Sequence, residues 1–257
     1  MKAPRGGAGD AARIDVLDSA GAVARRAAAS IAAALREPGR RTLLLAVGKT
    51  MAPIYRELVR LHRAGRAPFA RAVTFNLDEL RVAAEDPRSF RSFMERHLFS
   101  RVRIAPKRIR FLNGVAEDAG AECARYEAEI GGLPPDLALV GVGRNGHVAY
   151  LEPGASVAPR TSLARLSEQT RRDLAAGGMR PVPREALTVG LETLFSARRI
   201  LMVATGAEKA GAVAAALRGP VTARCPASFL SLHPGLEVLL DRAAARRLPA
   251  EVGGGGL

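Results

Sequence analysis

Short apolar runs alternate with amphipathic segments along most of the chain. The runs are rich in Leu, Ile and Val and are bounded by Gly, Pro, Asn or charged residues, a pattern typical of buried strands. They predict strands at 13–17, 41–48, 71–76, 108–112, 137–142, 186–190, 199–205 and 236–240. Helical spacing predicts helices at 19–36, around 55–62, and at 90–102, 117–130, 208–217 and 241–247. Strands that alternate with helices favour a mainly parallel sheet with helices on both faces.

The domain organisation follows from where this alternation begins and ends. Residues 1–12 are small and polar and predict a loose N-terminal extension, whereas 250–257 are glycine-rich and predict a flexible tail. Between them, 13–249 contain no internal repeat and no change of composition that would divide them. We therefore expect a single α/β domain of the Rossmann-like kind, with a mainly parallel sheet.

Composition narrows the class of protein. With 48% apolar residues the chain can form a core, and no apolar run has the length of a membrane helix. The net charge of +14 comes mainly from scattered arginines, without a basic tail. Neither nucleic acid nor a membrane is an expected partner, although an anionic substrate is compatible with this charge. The two cysteines suggest neither a disulfide nor a metal site, and we expect a cytoplasmic protein.

A glycine-rich loop follows the apolar run at 137–142. Gly141, Gly143 and Gly146 have the G-x-G-x-x-G spacing of dinucleotide-binding loops. In those proteins a helix opens on the last glycine, but here Pro153 would end such a helix almost at once. The glycines are better explained by close approach of the backbone to a small ligand, so no dinucleotide cofactor is expected.

A second strand-to-helix turn contains Gly48, Lys49 and Thr50. A P-loop needs glycine where this chain has Leu43, so that interpretation fails. Two interpretations remain open: backbone amides and Thr50 hold a phosphate at a helix N-terminus, or the segment is an ordinary turn.

Three titratable residues follow predicted strands. Asp78 comes directly after one strand, and His147 and Glu152 lie in the glycine-rich loop after another. Because ligands bind outside the carboxyl ends of parallel strands, the three side chains are candidates for one crevice. Two carboxylates and an imidazole suit proton transfer next to a sugar carbonyl, while a lone carboxylate at a strand end is otherwise a cap or turn former.

Several motifs in this order resemble one enzyme family. The most specific are Thr-Phe-Asn-Leu-Asp-Glu at 74–79, the glycine-rich loop through Pro153, and Arg160-Thr161. The chain is similar to the glucosamine-6-phosphate deaminase family, which is related to 6-phosphogluconolactonases and has a fold akin to ribose-5-phosphate isomerase. The resemblance implies conversion of D-glucosamine 6-phosphate and water to D-fructose 6-phosphate and ammonia, without a metal or organic cofactor.

The resemblance also implies catalytic roles. Asp78 would remove the proton from C2 of the sugar and return one at C1. His147 would assist ring opening, and Glu152 would orient and charge its imidazole. Asn145 stands where the family often has aspartate, so it is expected to orient by hydrogen bonding rather than act as a base. Glu152 separates the deaminases from the lactonases, which lack it.

The phosphate contacts that the resemblance implies depart in places from the family's pattern. The resemblance assigns Gly48, Lys49 and Thr50 to the phosphate loop, with lysine in place of a family glycine, and Lys209 to the phosphate lysine. The segment that carries the family's phosphate arginine is shortened here. Arg172 is our candidate to replace it, and Arg180 is the alternative.

Other functions stay open at this stage. A related enzyme could act on another amino-sugar or sugar phosphate, and a lactonase is less compatible with Glu152. A non-catalytic sugar-phosphate sensor is the alternative from a different class. The expected partners are a small amino-sugar phosphate and, in a possible homo-oligomer, further copies of the chain.

Overall fold

The computed structural model describes residues 13–154 and 156–249. The predicted extension at 1–12 and tail at 250–257 lie outside the described residues. The strands are β1 Arg13–Leu17, β2 Arg41–Leu45, β3 Ala72–Asn76, β4 Asp78–Leu80, β5 Ile109–Arg110, β6 Leu137–Gly141, β7 Ser162–Arg165, β8 Glu185–Thr188, β9 Ile200–Ala204 and β10 Leu236–Asp241. The α-helices are α1 Ala20–Arg36, α2 Met51–Arg63, α3 Phe90–His97, α4 Ala119–Gly131, α5 Glu168–Ala176, α6 Leu191–Phe195, α7 Ala210–Arg218 and α8 Arg242–Ala245.

Seven strands form the main sheet, in the order β1-β10-β9-β6-β2-β3-β5. Every neighbouring pair in it is parallel. Its central strands are buried on both faces, which explains their continuous apolar sequence. The predicted α/β class is confirmed, as a mostly parallel sheet with helices around it.

The strand order places a crevice in the middle of the sheet. From β2 the chain proceeds outward through β3 to β5, then returns to β6 on the other side of β2 and proceeds outward through β9 to β10. The direction of winding therefore reverses between β2 and β6. In open α/β sheets this is where ligands bind, outside the carboxyl ends of the strands.

A smaller antiparallel sheet, β4-β8-β7, lies beside this crevice. Leu77 joins it to the main sheet, because its N–H donates to Leu45 O at 3.0 Å and its carbonyl accepts from Val189 N at 2.8 Å. A separate apolar cluster packs against the small sheet and includes Leu80 and Tyr150.

Helix starts follow ordinary capping chemistry. Ser19, Ser89, Asp118 and Ser167 each accept a hydrogen bond from a backbone N–H in the first turn of α1, α3, α4 and α5, respectively. Ser19, rather than Asp18, is the cap of α1. Within the described residues, we find no helix that is both long and apolar enough to cross a membrane.

The structure corrects several predicted elements. The run at 186–190 is not a strand of the main sheet but forms β8 of the antiparallel sheet. The helix predicted at 90–102 ends at His97, where Leu98 leaves the helical region and a 3-10 turn follows. The strand predicted at 108–112 is reduced to Ile109–Arg110, which pair with only two residues of β3.

Candidate active site

The loops after β2 and β6 meet at the reversal point of the main sheet. Gly48, Lys49 and Thr50 follow β2 and lead into α2, while the loop after β6 contains Gly143 and His147. The elements next to them are close together, since a Cβ added to Gly141 at the end of β6 would lie 3.0 Å from the methyl carbon of Met51 at the start of α2. The crevice is thus bounded by both segments that the sequence singled out for chemistry.

The glycine-rich loop is a closed turn rather than the start of a helix. Gly143 N donates to His147 O at 2.8 Å, and Gly146 N donates to Gly143 O at 3.0 Å. Gly146 has φ +89°, a conformation that favours glycine. The loop continues through an isolated bridge between Val148 and Leu151 without opening a helix. The sequence argument against a dinucleotide loop rested on this missing helix.

Gly143 is required for a different reason, the packing of the imidazole. A Cβ at this position would lie 2.3 Å from Nδ1 and Cε1 of His147 and 2.5 Å from its Nε2. The ring therefore lies directly over the backbone of residue 143. Any larger residue would displace the imidazole.

His147, Glu152 and Asn145 form one polar cluster. Nδ1 of His147 lies 3.7 Å from Oε2 of Glu152, and Asn145 Nδ2 donates to the same oxygen at 2.9 Å. The Asn145 side-chain oxygen accepts from His147 N at 3.2 Å. The amide thus joins the carboxylate to the histidine backbone.

Two residues of this cluster were missed in the sequence analysis. Ser167, the cap of α5, donates its N–H to Glu152 Oε1 at 3.2 Å, and Thr170 Oγ1 lies 3.3 Å from His147 Nδ1. The available signal was Ser167 before the helix-forming pair Glu168-Gln169, which is a helix start. The first turn of α5 therefore completes the surroundings of the imidazole.

The imidazole is held close to neutral. Burial lowers the pKa of His147 and Lys209 lowers it further, whereas the charges of Glu152 and Asp173 raise it. A mostly neutral imidazole beside a carboxylate can both accept and release a proton.

Asp78 opens β4 at the other side of the crevice. Its Cα pairs with that of Thr188 in β8, and the residue is 7% exposed. Burial, followed by the neighbouring charge of Glu79, raises the pKa of Asp78 to about 8. Its carboxylate accepts no hydrogen bond from any described residue. A carboxylate without stabilising donors is a stronger base than one in water.

Glu79 is buried too, but it has a structural role. Its carboxylate accepts from Ser89 Oγ at 2.9 Å, Phe90 N at 2.8 Å and Arg91 N at 3.0 Å, at the start of α3. Burial raises its pKa and these hydrogen bonds lower it. Of the two adjacent carboxylates, only Asp78 remains available for chemistry.

Tyr150 lies between the two halves of the site. Its ring centroid is 6.1 Å from that of His147, and its N–H donates to Thr188 Oγ1 at 3.0 Å, opposite Asp78 in the small sheet. Burial raises the pKa of Tyr150, and the nearby charges of Asp78 and Glu152 raise it further. Tyr150 therefore connects the loop of His147 to the strand that pairs with Asp78.

The candidate phosphate residues lie along the same crevice. The Thr50 side chain makes no capping hydrogen bond to α2, although it occupies the cap position. Lys49 is exposed, and its Cε would be 3.6 Å from a Cβ added to Gly177 at the end of α5. The side chain therefore spans from the turn between β2 and α2 to the end of α5.

Lys209 reaches the crevice from the segment before α7. Its ammonium donates to the carbonyl of Val142, at the start of the glycine-rich loop. Burial lowers the pKa of Lys209, whereas the charges of Glu208 and Asp173 raise it. Arg144 of the same loop forms an ion pair with Asp173 of α5 at 3.3 Å. Lys209 and the Arg144–Asp173 pair thus border the glycine-rich loop.

Arg172 is not brought into this cluster. Thr170 and Asp173 of α5 face His147 and Arg144, whereas Arg172 lies on the opposite side of the helix and lines a separate groove. Arg180 lines the same groove. The structure therefore gives neither arginine a contact with the candidate catalytic residues.

A metal site would need several His, Cys, Asp or Glu side chains close together. Within 13–154 and 156–249, no group of three or more His, Cys, Asp or Glu residues could hold a metal ion.

Comparison with known proteins places this geometry in a family. The model of the family described as glucosamine-6-phosphate isomerases/6-phosphogluconolactonase matches residues 15–239. Glucosamine-6-phosphate deaminase of Arthrobacter sp. strain FB24 is 42% identical over 228 residues, 86% of this chain and 87% of that protein. Glucosamine-6-phosphate deaminase 1 of Bacillus subtilis strain 168 is 40% identical over 219 residues, 84% of this chain and 90% of that protein.

Solved structures of similar fold include a deaminase and a lactonase. A monomeric glucosamine-6-phosphate deaminase is 37% identical with a TM-score of 0.88, over 91% of this chain and 99% of that one. The 6-phosphogluconolactonase of Trypanosoma brucei shares the fold at 22% identity and a TM-score of 0.72, over 93% of this chain and 99% of that one. The chain belongs to the glucosamine-6-phosphate isomerase/6-phosphogluconolactonase family.

Proposed function

We propose that this protein is a glucosamine-6-phosphate deaminase, which converts D-glucosamine 6-phosphate and water to D-fructose 6-phosphate and ammonia. The observation that carries the proposal is the His147–Glu152 pair, 3.7 Å apart in the loop at the reversal point of the sheet. The deaminase relatives at about 40% identity support the same reaction.

Ring opening is assigned to the imidazole. His147 moves a proton between the anomeric hydroxyl and the ring oxygen, and Glu152 stabilises the charged ring while it holds that proton. Asn145 and Ser167 fix the carboxylate through hydrogen bonds of 2.9 and 3.2 Å. Glu152 therefore keeps its orientation when the charge on His147 changes.

Asp78 carries the isomerisation. Its carboxylate removes the proton from C2 of the open-chain sugar, while the substrate's ammonium group loses a proton and the carbonyl oxygen at C1 gains one, which gives an enolamine. The proton on Asp78 then returns to C1. The resulting imine at C2 is hydrolysed by water, and ammonia leaves. A pKa of about 8 suits this step, because a base is most effective when its pKa lies near the working pH.

Phosphate binding is assigned to the turn between β2 and α2 together with Lys209. Gly48 and Thr50 supply backbone amides and a hydroxyl, and Lys49 and Lys209 supply charge. Charge-assisted contacts to phosphate oxygens are the strong ones, so they fix which carbon faces Asp78. Arg172 is left out of this set because it lies on the other side of α5.

The test is a coupled assay of the purified full chain that measures ammonia and fructose 6-phosphate separately. Equal amounts of both products from glucosamine 6-phosphate support the proposal, and Asp78→Asn should lower kcat by at least about 1,000-fold. Asp86→Asn, which removes a carboxylate from a partly exposed ion pair with Arg88, is the control. No turnover by the wild type, or full activity of Asp78→Asn, would contradict the proposal.

Hydrolysis of 6-phosphogluconolactone is the second candidate activity, favoured only by the shared fold of the family. The same preparation assayed with that lactone separates the two reactions. A panel of other amino-sugar phosphates, with unphosphorylated glucosamine as control, defines the substrate. Binding of sugar phosphate without turnover of any of them would instead indicate a sensor.

The assembly state and the cytoplasmic location stay predictions. A homo-oligomer is one expectation, and the monomeric deaminase among the similar structures represents the alternative. Size-exclusion chromatography with light scattering distinguishes them.

A further inference from the structure

Helix α5 has two functional faces. Its inner face, with Thr170 and Asp173, touches the glycine-rich loop of the active site. Its outer face forms one wall of a groove of about 390 Å³. The groove is lined by Glu168, Arg171, Arg172, Ala175, Arg180 and Val182. None of these six residues has a role in the proposed reaction.

The charge of this groove is unbalanced. Three of its six lining residues are arginines, and Glu168 is the only acidic one. Within the described residues, none of the three guanidinium groups forms an ion pair or donates a hydrogen bond. The Nε of Arg171 is buried without a partner. A buried donor favours an acceptor, and three guanidinium groups without carboxylate partners leave the groove with net positive charge.

We propose that this groove binds a phosphate dianion, either free or carried by a small phosphorylated molecule, at a site separate from that of the substrate phosphate. Guanidinium groups present paired N–H donors that match phosphate oxygens, and several of them together neutralise two charges. The volume exceeds that of phosphate alone, which leaves room for an attached small group.

The position of the groove gives the bound anion a structural consequence. Arg171 and Arg172 belong to α5, whereas Arg180 follows the Gly177–Gly178 turn. A phosphate held by all three ties the helix to the segment after it. Because Ser167 of the same helix region contacts Glu152, the anion also stabilises one wall of the active site.

The experiment is calorimetric titration of the full chain with inorganic phosphate. Wild type should bind two phosphates per chain, one in the groove and one in the substrate crevice. Arg172→Ala/Arg180→Ala should lose one of them, through weakening by about tenfold or more for two charged contacts. Arg165→Ala/Arg184→Ala is the control, since both residues are exposed, lie outside the groove and remove the same charge.

A third variant assigns the remaining site. Lys209→Met should weaken the phosphate in the crevice and leave the groove site within about twofold of wild type. Equal phosphate binding by wild type and Arg172→Ala/Arg180→Ala would overturn the proposal. So would loss of the same single phosphate in both the arginine and the lysine variants with a parallel rise in KM, because the arginines would then serve the substrate. The readout is phosphate binding, so it does not depend on which reaction the protein catalyses.

Discussion

The substitution Asp78→Asn should stabilise the fold while it removes activity. Asp78 is 7% exposed, and its pKa is raised from 3.8 to about 8 in the folded protein. Between these two values the unfolded chain has released the proton that the folded chain retains. The free energy of unfolding therefore falls as the pH rises through this range.

The size of the stability change follows from the pH range over which Asp78 is protonated only in the folded protein. Each pH unit corresponds to about 1.4 kcal/mol, so the shift of Asp78 corresponds to at most about 6 kcal/mol above pH 8. Water that enters the crevice solvates part of the charge, so we expect a gain of about 2 to 4 kcal/mol for Asp78→Asn at pH 8. At pH 4 wild type and variant should be nearly equal.

The assay is urea unfolding of both proteins at intervals between pH 4 and pH 8.5. Asp86→Asn is again the control, because its hydrogen bonds with Arg88 lower the pKa of Asp86 to about 2. Its contribution is lost only as the pH falls from about 4 toward 2, so the difference from wild type should stay flat at higher pH. A flat difference for Asp78→Asn as well, or a loss of stability at pH 8, would refute the account of Asp78 as a desolvated base.

The remaining predictions concern the imidazole, its loop and the phosphate contact. Glu152→Gln should lower kcat by about 100-fold and move the acidic limb of the pH–rate profile to lower pH. The reason is that the Glu152 charge raises the pKa of His147, so its loss lowers that pKa. An acidic limb at the same pH as in wild type would contradict this prediction. Gly143→Ala should lower kcat/KM by at least about 100-fold with an unchanged circular dichroism spectrum, because the added Cβ would overlap the imidazole of His147. Gly154→Ala is the control and should be close to wild type, because its added Cβ would have no contact nearer than 3.9 Å. Lys209→Met should raise KM by about tenfold or more with a smaller change in kcat; a lower kcat at constant KM would assign the lysine to the chemistry instead.

The central strands of the main sheet could be predicted because they are buried on both faces. Continuous apolar sequence such as 137–141 can be recognised without knowledge of neighbouring elements. The small sheet lacks that signal: β4 has three residues, and β7 alternates between partly buried and exposed positions. Helix α5 was missed because its sequence, Glu-Gln-Thr-Arg-Arg-Asp-Leu-Ala-Ala, presents almost no apolar face.

The candidate site also contains residues that could be predicted from the sequence and residues that could not. Asp78, His147 and Glu152 follow strands with strong signals, so the sequence could place them at one edge of the sheet. Ser167 and Thr170 were not found because they lie in a helix whose sequence is mostly polar, and their role rests on hydrogen bonds to a distant loop. Arg172 was assigned by its neighbours in the chain, but the direction of a helical side chain depends on the helix rotation.

The connection at Leu77 has a consequence for how members of this family can diverge. The proposed base belongs to the antiparallel sheet, whereas the imidazole and its carboxylate belong to a loop of the parallel one. Leu80, Ala186 and Tyr150, which come from these two parts, belong to one apolar cluster, so packing in that cluster contributes to the separation. Changes of volume at those buried positions would alter the span between proton donor and acceptor. Natural selection can therefore adjust turnover and substrate size in this protein without replacing any residue that touches the sugar.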